Sequence, residues 1–132
     1  MDVELDALDT GLFSALGLRM VAATADRVAI SWTVDQRHLQ PFGIVHGGVH
    51  CSVHETAASI GAQAWLGKRG HVVGVSNLTD FLRPTRPGDT LTAVATPVHQ
   101  GRSQQLWVIE TRDGDDRLVA RGQVRLQNLA PQ

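Results

Sequence analysis

Cysteine is nearly absent from this chain. Cys51 is the only one in 132 residues, so no intramolecular disulfide can form. A basic excess is also missing. Twelve Lys and Arg against 13 Asp and Glu leave a net charge of −1 with histidine neutral. That excludes the electrostatic footprint of a nucleic-acid or anionic-membrane binder. No apolar run approaches the roughly 20 residues that a membrane-spanning helix needs. The start, MDVELDALDT, is acidic and carries no apolar leader segment, so no signal peptide is expected. Internal repeats, linkers and low-complexity tracts are lacking as well. Apolar residues make up 42% of the chain, enough to expect a packed core and one domain over residues 1–132. The expected setting is the cytoplasm.

The stretch from Gln40 to Ala64, QPFGIVHGGVHCSVHETAASIGAQA, is the most distinctive. A loop with Pro41 and Gly43 leads into His46-Gly47-Gly48 and then a helical run of small residues, predicted from about Gly48 to Leu66. Val49, Val53, Thr56, Ile60 and Ala64 form one stripe, widened by Ala57, Gly61 and Trp65. Glu55 is the one carboxylate in that run. A carboxylate among apolar and small residues is costly to bury unless it is paired or used.

Around this helix the spacing predicts mostly strands. Asp6 to Leu16 has the three- and four-residue steps of a short amphipathic helix, with Gly17 closing it. Arg19 to Ala23 is a short strand, and Arg27 to Val34 alternates as a half-buried one. Four more strands follow: Val72 to Leu82, Thr90 to His99, Ser103 to Arg112 and Leu118 to Gln127. Pro97 predicts an edge or a bulge in the second of these. One helix against one antiparallel sheet is an α+β two-layer design.

With these pieces in order, the chain resembles the hotdog-fold acyl-CoA thioesterases, most of all the phenylacetate-pathway and 4-hydroxybenzoyl-CoA thioesterase branch. The resemblance rests on Val45-His46-Gly47-Gly48-Val49, on Glu55 eight positions after Gly47, and on Ser59 one turn later. Phe81-Leu82-Arg83-Pro84, Gly88-Asp89, Gly101-Arg102-Ser103 and Leu118-Val119-Ala120-Arg121-Gly122 match later landmarks. The resemblance implies a long central helix wrapped by a curved antiparallel sheet. It implies homodimers joined edge to edge, commonly paired into homotetramers, with the active site between subunits and no cofactor. It also implies an acyl-CoA substrate and residue roles. Glu55 would be the catalytic base or nucleophile, and Gly47 would present its N–H to the thioester carbonyl. Gln40 would orient the reacting groups, and Ser59 would assist beside Glu55.

The chemistry suits those residue types. Thioester hydrolysis builds charge on the carbonyl oxygen, where a fixed donor is worth about 10²–10³ in rate. A Gly-Gly pair at a helix start offers free N–H groups and the positive end of the dipole. Glu55 lies about 12 Å along the helix from Gly47 at roughly 1.5 Å per residue, which favours pairing across an interface. Ser59 at i+4 shares the face of Glu55.

Other residues carry competing readings. His46 reads as a residue whose ring ties the loop to the backbone rather than as a base, and His46 and Gly48 are expected among the substrate-binding residues. Arg83, Arg102 and Ser103 are candidates for the phosphates of coenzyme A, through arginine forks. His46, His50 and His54 recur every four residues, but the HExxH pattern fails, so no metal is expected. Cys51 with His54 at i+3 is a weaker nucleophile pair. Trp32, Trp65 and Trp107 read as core or interface. A non-catalytic acyl-CoA binder on the same fold is the alternative reading. A hydratase is disfavoured because its aspartate–histidine pattern is not evident.

Overall fold

The computed structural model describes residues 6–132. The first five positions of the acidic start, read above for a leader, lie outside them. Strands β1 (Arg19–Ala23), β2 (Val28–Thr33), β3 (His71–Phe81), β4 (Thr90–Gln100), β5 (Gln104–Arg112) and β6 (Leu118–Leu129) form one antiparallel sheet in the order β1-β2-β4-β5-β6-β3. Helix α1 is short, Gly11–Ala15, and α2 runs Gly47–Leu66 across the sheet. Twenty residues make α2 roughly 30 Å long. No helix among the described residues is long and apolar enough to cross a membrane.

The α+β expectation of one long helix on an antiparallel sheet therefore holds. The predicted first helix is broken, into a 3-10 turn at Asp6–Leu8 and then α1. Gly17, at φ 66°, closes it as expected, because only glycine takes that backbone without strain. Pro97 sits at a register shift in β4. β2 pairs with β4 only as far as Ala95, so Pro97 has a partner strand on one side alone, opposite Trp107 of β5.

The core explains why α2 lies so close to the sheet. Val49, His50, Val53, His54, Ala57, Ala58, Gly61 and Ala62 are buried, against Ile30, Leu91, Trp107, Ile109 and Val124. A β-carbon at Gly61 would come within 2.4 Å of the Trp107 ring, so the smallest side chain is required there. The buried face differs from the predicted stripe. Thr56, Ile60 and Trp65 are only half-buried, and His50 and His54 take inner positions. Apolarity alone assigned the stripe; uncharged imidazoles pack as interior groups here, His54 with both ring nitrogens bonded and His50 between the Trp32 and Phe81 rings.

β3 is the last strand of the sheet, beyond β6. Its outward row is apolar and open: Val73, Val75 and Leu78 are 44–63% exposed. Among the described residues nothing pairs with its free edge.

Candidate active site

The loop before α2 is held at several points. Leu39 and Val45 form an isolated antiparallel bridge. Gln40 N–H donates to Ile44 O and Gly43 N–H donates to Gln40 O, with Gly43 at φ 84°. The Gln40 side-chain oxygen accepts from Phe42 N–H, so its amide is anchored in its own turn. Val45 N–H donates to Thr85 O and His46 N–H to His38 O. At the helix start, His46 Nδ1 accepts from Gly48 N–H at 2.8 Å, and Val49 N–H donates to His46 O at 2.9 Å. The imidazole thus acts as an N-cap, and the Gly48 donor is spent. Gly47 N–H meets no acceptor among the described residues. The Phe81 ring lies on Gly47, where a β-carbon would approach it to 2.4 Å.

Glu55 stands on the open side of α2, exposed, with no ion-pair or hydrogen-bond partner among the described residues. Its carboxyl lies over Gly74 of β3: a β-carbon there would sit 3.6 Å from Glu55 Cδ. Ser59, one turn on, is half-buried and lines an open groove of about 260 Å³ with Leu8, Ile60, Gln63 and Val72. Glu55 and Ser59 are thus brought to one helix face. Gly47 lies two turns away at the start of α2, and Gln40 is held in the turn before it.

A polar chain runs beneath Glu55. Asn77 Nδ2 donates to Cys51 O at 2.9 Å, and Thr79 Oγ1 donates to Asn77 Oδ1 at 2.8 Å. His54 Nδ1 is 3.3 Å from Thr79 Oγ1, and His54 Nε2 is 2.8 Å from Thr111 Oγ1. Burial, with His50 nearby, pushes the His54 imidazole down to about 3. Burial also holds His50 at about 4. The His50 ring is stacked on Phe81 and meets Trp32 edge-on.

Both ring nitrogens of His54 are therefore engaged away from Cys51, which removes the base from the cysteine reading. Among the described residues, no three His, Cys, Asp or Glu side chains gather as metal ligands. Asn77, Thr79 and Thr111 had no assigned role in the sequence. In the β3–β6 register Asn77 and Thr79 oppose Val124 and Gly122, which point inward, and that register is a tertiary property the sequence does not display.

The anion candidates divide. Arg83 follows β3, its N–H on Val119 O. Arg102 lies on the β4–β5 turn with Ser103, beside a groove of about 360 Å³ that Trp65, Leu66, Arg69 and Asn128 also line. Phe81, two residues before Arg83, packs at the start of α2, whereas the Arg102 groove lies at its end. One chain does not bring the two arginines together.

The sequence profile of the thioesterase superfamily matches residues 42–120. S. sahachiroi AziG superposes with a TM-score of 0.89 at 52% identity, over 92% of this chain and 98% of that one. A thioesterase of Haemophilus influenzae superposes at 0.90 with 32% identity, over 98% and 93%. The 1,4-dihydroxy-2-naphthoyl-CoA hydrolase of Listeria monocytogenes is 32% identical over 109 residues, 83% of this chain and 88% of that protein. By profile, identity and shape together, this chain belongs to the thioesterase superfamily, hotdog-fold enzymes whose chemistry is thioester hydrolysis.

Proposed function

We propose that this protein hydrolyses an acyl-CoA thioester to free acid and coenzyme A, at a site completed by two copies of the chain. The observation that carries this reading is Glu55. It is an unpaired carboxylate on the exposed face of α2, set over the edge strand β3. An edge with bare backbone groups and an open apolar row is a template for a second strand. A homodimer joined along β3 places one copy's Glu55 toward the other's Gly47, the pairing that about 12 Å within one helix denies. Pairs of dimers would then form the tetramer.

In this scheme Gly47 N–H polarises the thioester carbonyl. The α2 dipole adds to it, and the His46 cap on Gly48 keeps the helix start in place. Glu55 acts as base toward water, or as nucleophile on the carbonyl carbon. Ser59 steadies the carboxylate or the water. Gln40 borders the carbonyl site from its turn. The groove beside Ser59, with Leu8, Ile60 and Val72 in its wall, suits an apolar acyl group. Arg83, Arg102 and Ser103 take the phosphates of coenzyme A, with Arg83 and the Arg102 turn coming from different copies. A CoA substrate and a lone half-buried thiol are consistent with a cytoplasmic setting.

The test is a thiol-release screen over aryl, short, medium and long acyl-CoAs, with Glu55→Ala beside the wild type. Turnover of at least one thioester, lost in Glu55→Ala, is expected. Ligand binding without thiol release from any of them would establish the non-catalytic binder instead.

A further inference from the structure

The chain of side chains beneath Glu55 has a direction that can be worked out atom by atom. The Cys51 carbonyl can only accept, so Asn77 must present Nδ2 to it. Asn77 Oδ1 then faces Thr79 and accepts the single hydroxyl proton. With that proton used, Thr79 Oγ1 can only accept from His54, so Nδ1 carries the imidazole hydrogen. The bare Nε2 accepts from the Thr111 hydroxyl. The fully buried, neutral imidazole suits this order. The space is also reserved: a β-carbon at Gly122 would fall 2.5 Å from Thr79 Oγ1 and 2.9 Å from His54 Nδ1.

The end of the chain is the informative part. Cys51 is the residue four before Glu55, so its carbonyl already receives the Glu55 N–H within α2. Asn77 adds a second donor to that same oxygen from β3. Three residues away on β3, Gly74 leaves the floor on which the Glu55 carboxyl rests. The turn of α2 that carries the carboxylate is therefore tied to the strand that supports it, and β3 is otherwise linked to the sheet on one side only.

We propose that Asn77 is a positioning residue for Glu55: with Thr79 and His54 it fixes the height of the Cys51–Glu55 turn above β3, and so the place of the carboxylate relative to the thioester. This rests on the reading of Glu55 as the reacting carboxylate. It assigns no group of the chain to touch substrate.

The experiment compares Asn77→Ala, Thr79→Val and Thr79→Ser with the wild type, using the best acyl-CoA of the screen. Folding is checked by circular dichroism and thermal unfolding, and each substitution is repeated on Glu55→Ala. Small misplacements of a reacting group cost up to about 10²-fold. A fall in kcat of about tenfold is therefore expected for Asn77→Ala and Thr79→Val, with KM within about twofold. Thr79→Ser keeps the hydroxyl and should keep the rate. On Glu55→Ala, none of the three should lower the residual rate further. Unchanged kcat in folded Asn77→Ala overturns the proposal, and so does an equal loss on the Glu55→Ala background. Should Asn77→Ala not fold, equal turnover with valine and serine at position 79 overturns it by itself. Full activity in Glu55→Ala alone would instead remove the reading of the reacting group.

Discussion

Gly74 supports Glu55 by being small. The contact distance to a β-carbon, 3.6 Å, is an ordinary van der Waals one, so alanine fits and a branched side chain does not. Gly74→Ala should keep near-wild-type turnover, and Gly74→Leu should lose about tenfold or more in kcat while remaining folded, because the carboxylate is displaced. Steady-state assays with circular dichroism decide this. Glu55 itself was legible from its setting, since a lone acid in a small-residue helix calls for explanation. The network under it was not. Asn77, Thr79 and Thr111 are ordinary strand residues until the register places two of them opposite inward-facing β6 positions and one against His54.

Helix α2 illustrates how an element can be predicted in place yet turned about its axis. Its boundaries, Gly47–Leu66, follow from the glycine pair that opens it and the glycine after it. Its buried face does not follow from hydropathy, because His50 and His54 lie inside and Ile60 lies at the margin. The tightest packing is Gly61 under Trp107. Gly61→Leu should destabilise the fold by about 1–3 kcal/mol through overpacking, measured as a shifted denaturant midpoint at unchanged slope. β3 is an edge strand, joined to the sheet through β6 alone. Leu78→Lys places a charge in its open apolar row. Under the two-copy reading, this variant should sediment as a smaller species and lose thiol release.

Across the molecule, the two buried imidazoles set the response to acid. His50 and His54 are held near 4 and 3, below the unfolded value near 6.5. Their depressed values mean that the unfolded chain binds protons the folded chain refuses. Stability is therefore intact above about pH 6.5 and falls as pH drops toward 4 and then 3, by up to about 1.4 kcal/mol per pH unit for each histidine. Urea unfolding between pH 7 and 4.5 should show the decline, and His50→Phe should flatten it by removing one of the two groups. A pH-independent midpoint would contradict the buried neutral state.

Some of this protein was decided along the chain and some only in three dimensions. Periodicity 2 and 3.6 and the glycines at turns are local properties, so the strands and the long helix could be read directly from the residues, whereas the roles of Gly47, Gln40 and Ser59 came with the family resemblance that the motif spacing carried. The strand order, with β3 at the far edge beside β6, is a matter of which distant segments share hydrogen bonds, and no local pattern encodes it. The same holds for the separation of Arg83 from Arg102, for the turning of α2 that buries two histidines, and for the tie from Asn77 to the Cys51 carbonyl. Those depend on contacts between residues far apart in sequence. Such contacts exist only once the helix has settled on the sheet.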